Sequence, residues 1–361
     1  MNTELTIRKK ILSPPGDTIQ ETIDTIGMTQ AELAERMGRP KEKVNYIIKG
    51  REPISINTAI QLERVLGIPI SFWMERERIY REALARIQQE STLEKMVDWM
   101  RSFPIRELKK WGWLPKVRDQ VRISEALLGF FGVASQKEWE RIYIDDKISV
   151  AFRLSLAYTK SPQAMSAWLR IGELEVSGLQ LSDFDRKKFL ITLDSIKALV
   201  MNQPEDFNTQ LKLRCGECGV AVIYTQCLPK APINGATRWV YGHPIIQLSD
   251  RYKRNDQFWF SFYHEAGHIL LHGKKDVFLD DGHTSDPVKE QEANTFALKY
   301  LFPKNLEDEI KSYKQLSGEI LIELAAKYRT HPGIIVAQLQ RRKMINYYDG
   351  VDFFEKVSLF D

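Results

Sequence analysis

The chain has 361 residues, 43% hydrophobic and 28% charged, a composition that excludes a disordered polymer and implies two or three folded domains. Its formal net charge is only +4, from 52 basic and 48 acidic residues. That excludes a histone-like polycation but leaves room for a local basic face, which is all that DNA binding needs.

In chain order, Met1 to Gly16 contains Arg8, Lys9 and Lys10 with no apolar stretch behind them, so no secretory signal is read. Up to about Gln89 the pattern is of short helices and tight turns. Thr29 followed by Glu32 is a capping-box arrangement, and Leu33, Ala34 and Met37 continue at helical spacing until Gly38. A second helix is predicted over Lys41–Ile48, ending at Gly50. A third runs from Asn57 to Leu66, and a longer one opens at Pro69. From Ser91 to about Asn202 the chain reads as helical and rich in tryptophan (Trp99, Trp111, Trp113, Trp139, Trp168), and no chemistry is assigned to it.

After Pro204 strands are predicted. Gly219–Tyr224 is a short β-branched run, and Thr237–Val240 with Ile245–Leu248 flank a Tyr-Gly-His-Pro turn, a hairpin pattern. Asp256–Leu271 is a strong helix, and Asp276–Asp280 a further strand candidate. Another helix starts at Pro287 and runs to Leu301, followed by helices at Ile320–Tyr328 and Pro332–Arg342. The expected fold is mainly α. A helix-turn-helix bundle spans residues 1–90, a helical middle region 91–203, and an α+β domain with a small sheet 204–361.

Two short helices around a Gly-containing turn form the helix-turn-helix pattern, whose second helix can enter a major groove. Between Arg36 and Arg51 there are six basic residues and one acid, Glu42, while the first ninety residues hold 14 basic and 13 acidic. The basic excess therefore lies on the segment expected to face DNA. The segments Met28–Gly38 and Val44–Gly50 resemble the phage-repressor-like helix-turn-helix family. The stretch from Pro15-Gly16 through Pro53-Ile54-Ser55, Leu62-Glu63 and Leu66-Gly67-Ile68-Pro69 to Phe72-Trp73 is similar to its HigA-type antitoxin branch. The resemblance implies a double-stranded DNA operator, with Lys41, Glu42 and Tyr46 in base-facing positions and Gln30, Lys43 and Lys49 at phosphates. Glu42 departs from the pattern, since a carboxylate near DNA can only accept from a cytosine amino group. Two-fold operators imply a homodimer.

Only six histidines occur, and four of them are His264, His268, His272 and His283. His264-Glu265-Ala-Gly-His268 places two imidazoles four apart, on one helical face, where they can grip one ion. Glu265, about 100° further round, is placed as a general base rather than a ligand. A catalytic zinc site takes three protein ligands and keeps one position open. On spacing alone either Glu290 or Glu292 of the next helix can supply the third.

His264–His268 followed by Glu292-Ala-Asn-Thr-Phe-Ala297 resembles the ImmA/IrrE family of zinc metallo-endopeptidases. The resemblance continues through Gly235–Trp239, Phe302-Pro303 and Pro332–Val336 and covers about residues 210–345. It implies a zincin-like fold and Glu292 as the third ligand. His272 reads as a capping or outer-shell histidine. His331, in Thr-His-Pro-Gly, reads either as a helix start or as a stabiliser of the tetrahedral transition state; Tyr263, His243 and His283 are not ranked. Cys215-Gly-Glu-Cys218 has no second CxxC to complete a metal site, and with three cysteines in all a disulfide scaffold is excluded and a reducing compartment fits.

The expected protein is thus a cytoplasmic DNA-binding regulator of antitoxin or phage-repressor type, with no membrane segment. It carries a zinc endopeptidase domain that cleaves a regulator protein, with a repressor or toxin as partner. The alternative is an antitoxin-like repressor whose peptidase-fold domain is a non-catalytic sensor or partner-binding module.

Overall fold

A computed structural model describes residues 11–145, 161–251, 253–274, 277–280 and 286–360. By its internal contacts the chain divides into two compact units, Met1–Met100 with Val117–Glu125 and Arg101–Lys116 with Ala126–Asp361. Each has its own hydrophobic core.

In the first unit, local signals set the helix ends. Helix α1 (Pro15–Thr25) starts with proline in its first turn. Helix α2 (Gln30–Met37) carries the expected capping box: Glu32 N–H donates to Thr29 Oγ1 at 3.2 Å, and Thr29 N–H donates to Glu32 Oε2 at 3.0 Å. Gly38, at φ 63°, ends it. Helix α3 (Lys41–Ile48), α4 (Ile56–Leu66) and the long α5 (Ile70–Lys95) follow. Ile19, Ile23, Leu33, Val44, Ile47, Leu62 and Trp73 close the core. Trp73 Nε1 donates to the Ile68 carbonyl, so its one polar atom is satisfied where the ring is fully buried. Gly16 sits where a Cβ would run into the backbone carbonyl of Ile48, so α1 and α3 cross at backbone contact.

The middle of the chain is helical, as expected: α6 (Val97–Arg101), α7 (Ile105–Lys110), α8 (Gln120–Phe131) and α9 (Gln136–Glu140), then α10 (Pro162–Ser177) and α11 (Arg186–Asn202). In the second unit Phe103, Phe131, Trp139 and Tyr143 pack edge to face or stacked.

Helix α12 (Phe207–Gly216) leads into a four-stranded sheet of β1 (Ala221–Thr225), β2 (Gly235–Val240), β3 (His243–Ser249) and β4 (Phe278–Asp280), in the order β1-β3-β2-β4. The β2–β3 hairpin is present, with Val240 opposite His243. Its two turn residues, Tyr241 and Gly242, both have positive φ, the twist a two-residue hairpin requires. β1 runs parallel to β3, and β4 antiparallel to β2. Both faces of β1 are buried, which explains its unbroken apolar run. Ala221 and Ile223 pack with Val176 of α10, while Val222 and Tyr224 join the core with Phe258 and Phe262. Those two phenylalanines belong to α13 (Asn255–Leu271), which crosses the sheet. Helix α14 (Pro287–Leu301) packs against α13, and α15 (Lys304–Ile310), α16 (Gly318–Tyr328) and α17 (Pro332–Arg341) complete the unit. Among the described residues no helix is long and apolar enough to cross a membrane.

The α1–α3 contact gives a direct test. Gly16→Ala is expected to destabilise the first unit by about 1–3 kcal/mol, the usual cost of forcing atoms into a packed site. Urea unfolding followed by fluorescence would read the loss. An unchanged midpoint would mean that the two helices do not meet at this glycine.

Candidate metal centre and nucleic-acid face

Helix α13 is buried along almost its whole length, and His264, Glu265 and His268 are among its buried residues. The close approach of α14 depends on Gly267, where a Cβ would meet Ala293 Cα and Phe296 Cβ at 3.2 Å. With small residues at that crossing, carboxylates of α14 can reach the imidazoles of α13.

His264 and His268 point their Nε2 atoms at one another, 3.0 Å apart. Glu290 completes the cluster, with Oε2 3.2 Å from His264 Nε2 and Oε1 3.5 Å from His268 Nε2. The other ring nitrogens have fixed partners. His264 Nδ1 lies 3.1 Å from Asn294 Oδ1, which can only accept, so that nitrogen carries the proton. His268 Nδ1 lies 2.9 Å from His272 Nδ1, and His272 Nε2 lies 3.0 Å from Glu292 Oε2. His272 Nε2–H therefore donates to the carboxylate of Glu292, leaving His272 Nδ1 to accept from His268 Nδ1–H. Both Nε2 atoms then present lone pairs to the same point, beside a carboxylate. Three converging donors fit a divalent cation, and histidine with carboxylate is the ligand chemistry of zinc.

The structure sets Glu290, rather than Glu292, beside the two imidazoles. Glu292, which the resemblance implies, is more than half exposed and meets His272, while Glu290 meets the pair. Residues two apart on a helix point about 200° away from each other, so only one of these glutamates can face α13. Asn294 lies one turn beyond Glu290, on the same face, and reaches His264 for that reason. Neither Asn294 nor the His272–Glu292 link was assigned from the sequence; the His-x-x-x-His repeat at 268 and 272 was the available signal.

Glu265 lies next to the cluster with both carboxylate oxygens buried and without a hydrogen-bond partner. Gly235 of β2 makes room for it: a Cβ there would stand 2.6 Å from Glu265 Oε1. Thr237, on the same face of β2, donates to the Glu265 backbone carbonyl at 3.1 Å. Burial pushes the Glu265 carboxyl up to about 8; His264 opposes this, and the charges of Asp280 and Glu290 add to it. Burial drives His268 down to about 2, with His264, His272 and Lys289 adding to the effect. Burial also acts downward on His264, but the bond with Glu290 and the charges of Glu265, Glu290 and Asp280 outweigh it and push that ring up to about 9. Phe278 of β4 stacks on His268 with ring centroids 3.9 Å apart and fixes the ring plane.

The structure does not bring His331 to the cluster. His331 caps α17: its Nδ1 accepts from Gly333 N–H at 3.1 Å and lies 3.0 Å from the Asn255 amide. Asn255 starts α13, nine residues before His264, which is roughly 13 Å along a helix. Of the two readings of Thr-His-Pro-Gly, the helix start is the one observed. Tyr263 donates to the Leu193 carbonyl from within the core, and His243 opens β3. His283 lies outside the described residues. Cys215 and Cys218 are buried in the apolar core, and Cys218 Sγ lies 3.0 Å from Thr192 Oγ1.

In the first unit α3 buries Val44, Ile47 and Ile48 and turns Lys41, Glu42, Lys43 and Tyr46 outward, with Lys49 exposed just beyond its end. Lys43 pairs with Glu52. Gln30 is half-buried between α1 and α3, bonded to Gln20 and Asn45. The exposed face is thus basic, with one aromatic ring.

Residues 215–340 match the family described as the IrrE N-terminal-like domain, peptidase M78, and residues 20–73 match the helix-turn-helix family. The chain joins a helix-turn-helix domain to an IrrE-like peptidase domain. No curated protein matches it. The helix-turn-helix domain is the DNA-binding part, and the IrrE-like domain is the enzymatic part, with a His-His-Glu cluster suited to metal-dependent hydrolysis.

The ligand set can be tested by titrating metal against a chelating dye. Glu290→Gln is expected to weaken binding most. Glu292→Gln and His272→Ala should lose only the roughly 10–100-fold typical of partners that orient a ligand. Loss of metal in Glu292→Gln with retention in Glu290→Gln would reverse the assignment.

Proposed function

We propose that this protein is a DNA-binding regulator of antitoxin or phage-repressor type whose IrrE-like domain is a zinc endopeptidase acting on another regulator protein. The proposed division assigns residues 1–90 to operator binding, 91–203 to a helical middle region and 204–361 to hydrolysis. The observation that carries the reading is the unpartnered, buried carboxylate of Glu265 beside two converging imidazoles. In a purely structural site such a group would be a net cost.

His264, His268 and Glu290 would hold the zinc ion, which when bound supplies Lewis acidity to a peptide carbonyl and to water. Glu265 removes a proton from the attacking water at its carboxylate oxygen and later delivers it to the nitrogen of the leaving amine. Gly235 and Thr237 fix where that carboxylate stands. Asn294 and the His272–Glu292 link hold the two imidazoles in the tautomer that leaves Nε2 free. The short edge strand β4, whose Phe278 stacks on His268, lies where an extended substrate can pair alongside the centre.

On the DNA side, Lys41, Glu42 and Tyr46 are proposed to meet base edges, and Gln30, Lys43 and Lys49 phosphates, with a homodimer matching a two-fold operator. Three cysteines, two of them buried in the core, support a cytoplasmic setting.

Two measurements check this reading. Purified protein should contain zinc and cleave members of a synthetic peptide library, read by mass spectrometry. Glu265→Gln should keep the zinc and lose about two or more orders of magnitude in rate, as the general base is removed. Cleavage by Glu265→Gln at the native rate would refute the assignment, and zinc without cleavage would leave the domain as a binding module. In a salt titration of operator binding, Lys49→Ala should lower the log–log slope by about one and weaken all sequences alike. Changing Lys41 and Tyr46 should instead relax sequence preference.

A further inference from the structure

In the second unit two helix faces meet the end of a strand and enclose a pocket of about 420 Å³. From α13 it is lined by Gln257, Phe260 and Ser261, and His264 continues the same stripe, at i, i+3, i+4 and i+7. From α17 it is lined by Ile334, Ala337, Gln338 and Arg341, with the same spacing. Asp280, the last residue of β4, closes a third wall, where its carbonyl accepts from Asn234 N–H at 2.7 Å. The pocket therefore begins where β4 ends and lies along α13 just before the metal-site histidines. A chain paired alongside β4 would run off the end of that strand into it.

Phe260 links the pocket to the metal centre. Its ring stacks on His264 with centroids 6.2 Å apart, and Arg341 Cζ stands over it, 5.9 Å from the centroid. The guanidinium is thus no farther from the His264 ring than these two steps laid end to end, about the span of three to four residues of extended chain. The charged side chains of the lining are not equivalent. Asp256 is bonded through both oxygens to Arg254, at 2.9 and 3.0 Å. Asp280 is engaged within the protein, and its charge bears on His264 and Glu265. Arg341 is exposed, and among the described residues its guanidinium joins no ion pair or hydrogen bond. Its contact with the Phe260 ring orients the planar fork and leaves the N–H donors for a carboxylate. Phe260, Ile334 and Ala337 supply apolar wall for the stem of a side chain.

We propose that this pocket is the substrate subsite on one side of the scissile bond, and that Arg341 selects a glutamate or aspartate within about three residues of the cut. The inference rests on the endopeptidase reading and names the kind of segment that site takes. The stem of the acidic side chain packs on Phe260 and Ala337, and its carboxylate accepts from the Arg341 guanidinium in a forked pair. Arg341 meets the substrate at a distance from the metal ligands. It therefore governs which chain is held and leaves the proton transfers at Glu265 unchanged.

The test uses the full chain carrying Glu265→Gln, so that hydrolysis cannot deplete the probes. These are two pools of fluorescein-labelled, capped heptapeptides, randomised except for a central glutamate in one and a central lysine in the other. Anisotropy is expected to show the glutamate pool bound about fivefold more tightly, the scale of one exposed ion pair. Adding Arg341→Glu should invert that order. Ala337→Trp, which fills the pocket, should weaken binding of both pools, with circular dichroism and zinc content checking that the fold survives. With Glu265 intact, cleavage of the same unlabelled pools, read by mass spectrometry, should place the acidic residue at a fixed distance from the cut. Arg341→Glu should then raise KM for acidic peptides with little change in kcat. Equal binding of the two pools, or a preference that Arg341→Glu leaves in place, would overturn the proposal and leave the peptidase reading standing. Arg341-dependent binding without cleavage by the wild type would do the reverse, keeping the acidic-segment site and removing hydrolysis.

Discussion

Two imidazole nitrogens with lone pairs facing each other at 3.0 Å, inside a packed helix pair, demand a positive charge between them. Much of the second unit serves that demand. Asn294 and the His272–Glu292 link fix the ring tautomers that create it. Glu290 adds a negative charge on the same side, which is costly when buried and becomes favourable once paired. Gly267 allows α14 to come close enough for these contacts, and Phe278 holds one ring in plane. The local structure therefore gathers two imidazoles and a carboxylate at one point suited to a cation.

The strand β2 shows how the sheet takes part. Gly235 leaves space for the Glu265 side chain, and Thr237 binds the backbone of the same residue. Both lie on one face of one strand, two residues apart, so a single register between β2 and α13 places the Glu265 carboxylate. A slip of one residue would turn that face away and bring Ala236 or Arg238 against the carboxylate instead.

What could be read in the sequence was what depends on neighbours along the chain. The Thr29–Glu32 box, the hairpin turn at Tyr241–Gly242 and the His264–His268 pair are all set by spacings of four residues or fewer, and each appears where its pattern placed it. The choice between Glu290 and Glu292 was different. Spacing left both open, and the side of α14 that meets α13 is decided by how two helices cross at Gly267 and Ala293, a contact between residues far apart in sequence. The same holds for His331, whose Pro-Gly context marks a helix start but whose partner, Asn255, lies 76 residues earlier. The outermost place of β1 could not be read either, because the strand order β1-β3-β2-β4 sets the first strand at the edge through a crossover that no local pattern records.

That strand order gives the sheet two unlike edges. β4 is three residues long and borders the metal centre; β1 is five residues long and borders an apolar cleft. Short edges are one way in which proteins limit unwanted pairing, and β4 fits that device. β1 is instead recessed between α10 and α12, with every residue buried, so its edge is covered rather than shortened. The two edges are joined by continuous ladders, β1 to β3, β3 to β2 and β2 to β4, and β2 is the strand that seats Glu265. The recessed edge at β1 and the short edge at β4 thus frame β2, the strand that seats Glu265.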